Sequence, residues 1–325
     1  MPNRLRLLLS DWFMRGMIAA VLLASFLPSL GRSGGWLRLD QAADAGIFLV
    51  FFLHGIGLST ERMKAGLLRW RLHLLVQGFT FAVFPLLYFG FAALFGHWLP
   101  AGLLLGFLYL CALPSTISSS VAMTGAARGN VAAAIFNASL SSLLGIVLTP
   151  LLVSLVATAS GQLPLGDAVL KLATLLLLPL MLGQALRPAF GAWFGRYKRY
   201  TGAFDKTVIL LLVLNSFSDS VASGLWTRYG PAILLQTLLG AGLILAVVLW
   251  LTRRAARALG FAVEDEIVTV FCGSKKTLAS GVPMAKLLFG AHPALGLIVL
   301  PIMFYHQLQL FVCSILAERY ARRAD

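Results

Sequence analysis

Charge is what this chain of 325 residues has least of: 12% of its side chains are charged, and 12 acids stand against 26 lysines and arginines. Asp, Glu, Lys and Arg are absent from Leu72 through Ala127 and again from Gly129 through Gly166. A soluble domain carries roughly 25% charged residues to face water, and a chain that is 59% hydrophobic with a mean hydropathy of +0.87 is far from that balance. Cysteine is scarce too. Cys111, Cys272 and Cys313 all fall in apolar runs, where a thiol behaves as a small hydrophobe, which excludes a disulfide framework and a metal site. Also missing are the phosphate-cradling GxxxxGK[ST] loop and the HExxH zinc pair, which argues against an ATP-driven pump and a membrane metalloprotease.

What is present is a series of apolar runs. A spanning helix takes about 20 apolar residues, and runs bounded by charge clusters or Gly/Pro breaks predict spans at Trp12–Leu30, Ala42–Ser59, His73–Gly96, Ala101–Gly125, Val131–Ala159, Leu163–Leu186, Phe204–Gly224, Gly230–Thr252, Ile267–Phe289 and Ala294–Leu316. The expectation is an all-α polytopic membrane protein of ten transmembrane helices. Arg4, Arg6 and Arg15 before the first run have the look of a signal peptide, but the many spans that follow make it a retained anchor.

The net charge of +14 does not point to nucleic acid, because the basic residues sit in short clusters between apolar runs rather than on one face of a domain. They read as a topology signal instead. One set of connections holds nineteen: Arg4, Arg6, Arg15, Arg62, Lys64, Arg69, Arg71, Arg128, Arg187, Arg196, Lys198, Arg199, Lys206, Arg253, Arg254, Arg257, Arg319, Arg322 and Arg323. The opposite set holds five, Arg32, Arg38, Lys171, Arg228 and Lys286. Both termini are therefore expected in the cytoplasm, with the chain in a bacterial inner membrane. The two basic residues left over, Lys275 and Lys276, lie inside a span.

Two spans concentrate the polar residues. Aligned without gaps, the thirteen residues from Cys111 to Met123 and from Cys272 to Met284 agree at five positions: Cys111 with Cys272, Thr116 with Thr277, Ser119 with Ser280, Val121 with Val282 and Met123 with Met284. Such self-similarity suggests duplication. The copies are five spans apart, so residues 1–160 and 161–325 are expected to form inverted repeats, with spans four and nine broken at Pro114 and near Gly273 and meeting at mid-membrane. Unwound backbone is tolerated there only where protein or a wet cavity satisfies it.

Lys275 and Lys276 are the sharpest anomaly, since an ammonium at the bilayer centre costs at least ~2.5 kcal/mol. Either both snorkel to the interface, or at least one faces a cavity to bind an anionic solute or cycle its proton. Thr116, Ser118, Ser119, Ser120, Thr124, Ser274, Thr277 and Ser280 offer hydroxyls that suit cation ligation, the capping of freed backbone, or close helix packing. Asn137 and Ser141 share a helical face with Asn130, and His306 shares one with Gln309. Gln77, Asn215, Asp219 and His54 are further polar residues within spans.

The runs HGIGLSTERMKAGLLRWRLHLLVQGFTFAVFPL from His54, LPSTISSSVAMTGAARGNVAAAIFNASLSSLLGIVLTP from Leu113, FCGSKKTLASGVPMAKLLFG from Phe271 and LPIMFYHQLQLF from Leu300 resemble the bile acid:sodium symporter superfamily. They are most similar to its SBF-like branch, which includes bacterial inner-membrane proteins and vertebrate solute carrier family 10 member 7. The resemblance implies a 5+5 inverted repeat with two broken crossing helices, a panel domain of spans 1, 2, 6 and 7, and a core domain of spans 3–5 and 8–10. It also implies two sodium ions behind the crossing and an organic anion between panel and core. By position, Gln77, Ser119, Ser120, Asn137 and Gly273 through Thr277 fall at or beside sodium-site positions, while Phe271 stands where the family has a glutamate and Lys275 where it has a glutamine.

The expected function is secondary active transport of a small organic, anionic solute by alternating access. Substrate-binding candidates are Thr116, Ser118, Asn137, Lys275, Lys276, Thr277, His306 and Gln309; cation-site candidates are Gln77, Ser119, Ser120, Asn137, Ser141, Gly273, Ser274 and Lys275. The coupling ion implied by the resemblance is sodium. Because ammonium groups beside a site without a carboxylate repel a cation, a sodium-independent or proton-coupled carrier, with Lys276 in the place of a bound cation, is the alternative. A channel or regulator of ion flux, or an intramembrane enzyme pairing Ser115 with His306, stand further off. No cofactor beyond a coupling ion and no partner beyond solute and lipid is implied.

Overall fold

The computed structural model describes residues 12–57, 69–159, 166–222, 224, 230, 232–290 and 292–323, and among these there are helices and no strands. The chain divides into two compact units. One comprises Met1–Leu58, Leu170–Ile233 and Val282–Val299; the other comprises Ser59–Val169, Leu234–Gly281 and Leu300–Asp325.

In chain order the helices are α1 (Trp12–Phe26), α2 (Pro28–Gly31), α3 (Leu39–Gly57), α4 (Trp70–Gly78), α5 (Phe84–Phe95), α6 (Ala101–Ala112), α7 (Ser118–Ala126), α8 (Val131–Ala159), α9 (Gly166–Ala222), α10 (Ala232–Ala258), α11 (Val263–Gly273), α12 (Gly281–Phe289) and α13 (Leu295–Ala321). A π turn over Phe79–Val83 joins α4 to α5. Five stretches among the described residues are long and apolar enough to cross a membrane: Leu39–Gly57, Trp70–Trp98, Val131–Val156, Ala232–Ala258 and Leu295–Ala321. Their outer faces confirm the solvent. Along Trp70–Trp98, Val76, Phe84 and Phe91 are buried, while Leu74, Leu86, Phe89 and Leu94 on the other faces are exposed and equally apolar. A helix apolar all round yet open on one side is suited to lipid.

Spans six and seven were predicted as separate helices, and α9 is two helical arms that meet at a kink at Tyr197, where φ is −104° and ψ 17°. At 1.5 Å per residue it would reach ~85 Å if straight, far beyond a ~30 Å hydrocarbon core. The charged stretch on either side of Tyr197 is helical, so the arms meet at a kink rather than across a loop, because Arg, Lys, Ala and Tyr all tolerate a helix. The side chains at its start, Lys171 included, lie outside the described residues, as do Arg4, Arg6, Arg62, Lys64 and Arg228.

In the first unit, α3 and α9 approach at glycines. A Cβ on Gly55 would overlap the Leu180 carbonyl, and one on Gly183 would overlap the Phe52 carbonyl, so the two backbones touch where neither has a side chain. Polar residues tie the remaining parts of this unit together. Asn215 donates from Nδ2 to the Gly31 carbonyl at 2.8 Å and accepts from Lys286 Nζ at 2.8 Å. Asp219 accepts from both the amide and the hydroxyl of Ser33, at 2.7 Å each. His54 Nε2 lies 3.1 Å from Asp205 Oδ2.

The glycine contact yields a prediction. Gly183→Ala should lower the melting temperature of the purified protein in detergent, consistent with an overpacking cost of about 1–3 kcal/mol. Gly202→Ala, at a helical site with open space around it, should be neutral or slightly stabilising. Equal melting of the two variants would contradict the close approach.

Candidate functional site

The site is built where two helices stop. Pro114 has no amide hydrogen and holds the residue before it extended, and Leu113 has φ −68° and ψ 152°, ending α6. The chain resumes as a helix at Ser118. In the same unit, α11 ends at Gly273 and α12 begins at Gly281, leaving Ser274 through Ser280 unwound. The breaks meet: the Thr277 amide donates to the Pro114 carbonyl at 3.0 Å. Gly145 on α8 makes room for this, since a Cβ there would lie 2.5 Å from the Pro114 ring.

Broken helices leave backbone groups that must find partners. Here side chains supply them. Ser141 Oγ accepts from the Ser115 amide at 2.9 Å, and Thr149 Oγ1 donates to the Ala112 carbonyl at 2.8 Å. Ser115 Oγ donates to the Cys272 carbonyl at 2.7 Å, Ser120 Oγ to the Phe271 carbonyl at 3.1 Å, and the Tyr305 hydroxyl to the Ser274 carbonyl at 2.7 Å. Gln309 grips the Lys276 peptide from both sides: Oε1 accepts from its amide and Nε2 donates to its carbonyl, each at 2.8 Å.

At the centre are the two lysines, both 0% exposed. Neither snorkels to an interface. Lys276 Nζ donates to the carbonyls of Thr80 at 2.9 Å, Cys111 at 2.9 Å and Leu113 at 2.6 Å, and lies 3.9 Å from the centre of the Phe84 ring. The breaks and the π turn create this cage, freeing carbonyls that an uninterrupted helix would occupy. Three acceptors around one nitrogen match an ammonium with three hydrogens; a neutral amine has two and would leave one carbonyl facing a lone pair. Burying an ammonium costs several kcal/mol, while three charge-assisted hydrogen bonds at ~1.5–3 kcal/mol each and a desolvated cation–π contact of ~2 kcal/mol offset a cost of that size.

Lys275 is held more loosely. Its Nζ donates to the Ser119 carbonyl at 2.8 Å and lies 2.8 Å from Met123 Sδ, with the Phe271 ring centre 5.5 Å away. That leaves one of its three hydrogens unassigned. Among the described residues neither lysine has a carboxylate partner. Phe271 is fully buried and packs edge-on against Tyr320, so an aromatic face stands where the resemblance placed a glutamate.

The other candidates divide. Thr116 Oγ1 lies 2.7 Å from Ser119 Oγ and 2.9 Å from Ser120 Oγ, forming a hydroxyl cluster beside Lys275. Asn137 donates to His73 Nδ1 at 2.9 Å and accepts from Gln77 Nε2 at 3.3 Å, while Gln77 Oε1 is a buried acceptor with no partner among the described residues. Ser274 Oγ turns back to the Val270 carbonyl, Thr277 pairs with Ser280, and His306 Nδ1 lies 3.0 Å from Gln309 Nε2. Gly273 packs against Thr252 and Phe79. Asn130 caps α8 and reaches Asp265, apart from the lysines. The Ser118 side chain lies outside the described residues. Ser115 is engaged with a carbonyl and His306 with an amide, an arrangement that does not pair them as nucleophile and base. Sequence reasoning missed Thr80, Cys111 and Leu113 as ligands, because they act through backbone oxygens that no residue type announces.

Apolar helices interrupted at buried charged and hydroxyl groups make a multi-pass membrane protein of the transporter class. The chain belongs to the SBF-like CPA transporter family, whose profile matches residues 11–322. It is 49% identical to an uncharacterized protein of Pseudomonas aeruginosa over 98% of this chain and 95% of the relative. It is 45% identical to YfeH of Escherichia coli, which carries the name of a symporter, over 97% and 94%. It is 32% identical to sodium/bile acid cotransporter 7 of Mus musculus over 94% and 91%.

The cage predicts unequal lysines. Lys276→Met strands three buried carbonyls, at about 1–3 kcal/mol each, whereas Lys275→Met strands one. Thermal unfolding in detergent should therefore find Lys276→Met much the less stable of the two. A Lys276→Met protein that melts with the wild type would remove the cage from the account.

Proposed function

We propose that the protein is a secondary carrier of a small organic anion that works without sodium, because the Lys276 ammonium stands permanently in the place of a coupling cation. The observation that carries this reading is the cage. Three carbonyl oxygens and a ring face around Nζ form the kind of coordination that strips a small cation of its water, and the position is filled by the chain itself. With all three of its hydrogens committed, Lys276 holds the two breaks together rather than binding solute. Lys275, with a hydrogen to spare beside the Thr116, Ser119 and Ser120 hydroxyls, is the lysine assigned to the anion.

The same reading takes the chain as ten spans in two inverted repeats, residues 1–160 and 161–325, with both termini in the cytoplasm of a bacterial inner-membrane protein. Breaks at matching places in the two similar segments support the repeats, and the excess of basic residues on one set of connections supports the orientation. Two compact units give alternating access two bodies to work with.

A second reading, proton coupling, is favoured by one feature. Lys275 has a single carbonyl and a thioether as partners, so it gives up a proton at less cost than Lys276. In both readings sodium has no part, although the name of the mouse relative includes it.

Uptake of radiolabelled small organic anions, taurocholate among them, into proteoliposomes tests this. Saturable uptake should differ less than twofold between sodium and potassium media. A tenfold or larger stimulation by sodium would overturn the proposal, and acceleration by an inward proton gradient that is lost in Lys275→Gln would select the second reading.

A further inference from the structure

Away from the lysines, the unit that holds them carries a cavity of about 310 Å³ whose wall includes Arg253, Arg257, Arg319 and Arg323, with Glu266 and Tyr320. The arginines come in pairs, one from the end of α10 and one from the end of α13, helices long enough to cross a membrane. The charges do not cancel. Glu266 is buried and takes the Nε of Arg257 at 2.9 Å and of Arg253 at 3.4 Å, and it accepts from the Tyr320 hydroxyl at 2.6 Å. Glu264 pairs with Arg323 Nη2 at 3.1 Å. Two carboxylates against four guanidiniums leave a surplus of two positive charges.

The hydrogen-bond geometry says where that surplus points. Arg257 donates its Nε–H to Glu266, which fixes that guanidinium plane; Arg253 pairs with the same carboxylate at 3.4 Å and lies over the Tyr320 ring at 5.9 Å, and both side chains remain about half exposed. Among the described residues their Nη groups have no hydrogen-bond partner, and Arg319 has no ion-pair partner at all. A guanidinium presents its Nη hydrogens as a fork that fits the oxygens of a phosphate. Buried Glu266 thus acts as a positioning residue that holds both arginines at the wall of one cavity.

The residues around the cavity select the ligand's source. Trp250, exposed on α10 one turn before Arg254, stacks with that guanidinium at 5.5 Å, as aromatic residues do at the level of lipid headgroups. Leu316 and exposed Val263 add apolar wall to the same cavity. Basic pockets at the ends of transmembrane helices recognise anionic headgroups in this way. We propose that this arginine-walled cavity binds the phosphate of an anionic phospholipid headgroup, anchoring the ends of α10 and α13 to the membrane surface.

The test uses the full-length protein in nanodiscs of phosphatidylcholine, titrated with phosphatidylglycerol and, separately, with inorganic phosphate, with binding read by native mass spectrometry and melting temperature. Wild type should bind phosphatidylglycerol saturably and melt higher with it. Affinity should fall at least tenfold in Arg253→Gln/Arg319→Gln and about half as much on a logarithmic scale in Arg319→Gln, which breaks no contact seen in the structure. Phosphatidylglycerol binding no better than phosphatidylcholine in wild type overturns the proposal, whether or not the variants fold. So does phosphatidylglycerol binding that survives unchanged in a folded double variant. Saturation by inorganic phosphate with no response to phosphatidylglycerol overturns the lipid source.

Discussion

Three backbone carbonyls around one buried ammonium are the constraint on which the middle of this protein depends. Each of Thr80, Cys111 and Leu113 offers an oxygen that a regular helix would have used internally, and Lys276 gathers all three. The dependence runs both ways. Without the breaks and the π turn there is no nest of free carbonyls, and without the ammonium those carbonyls would face one another in a region closed to water. Charge and irregular backbone, each costly alone in a membrane, are stable as a pair.

The surrounding residues act as a second layer of the same device. Gln309 holds the Lys276 peptide, Tyr305 the Ser274 carbonyl, Ser115 the Cys272 carbonyl and Ser141 the Ser115 amide. Hydroxyl and amide side chains that look from sequence like candidate ligands are thus largely occupied in closing the backbone ledger of two broken helices. The hydroxyls of Thr116, Ser119 and Ser120 are the exception, since they bond chiefly to one another beside Lys275. Buried Gln77 Oε1 and Thr124 Oγ1, each with no partner among the described residues, are further places where the unit is not internally complete.

How much of this was legible follows from which atoms do the work. Pro114 announces a break because it lacks a hydrogen, and two adjacent lysines in an apolar run announce a buried polar region because their cost demands an explanation. Both are properties of side chains, and the structure has the break and the burial at those residues. The cage is a property of backbone oxygens, and the π turn over Phe79–Val83 was not read from the sequence, although Pro85 just beyond it has no amide hydrogen to offer the Thr80 carbonyl. That the first arm of α9 stays helical past Leu186 up to the kink at Tyr197 was missed because charge clusters end apolar runs without ending helices. Arg253 and Arg319 were counted as topology signals; that they share a cavity depends on packing between segments more than sixty residues apart.

If Lys276 is a tethered stand-in for a cation, the wild-type protein has no vacancy for a free one at the helix breaks. Equilibrium binding of radioactive sodium to the purified protein puts that directly to measurement. The account predicts no saturable binding up to the highest sodium concentration the assay resolves, and the appearance of binding when Lys276→Ala empties the cage. Saturable sodium binding by the wild type, displaced by neither lysine's removal, would contradict it.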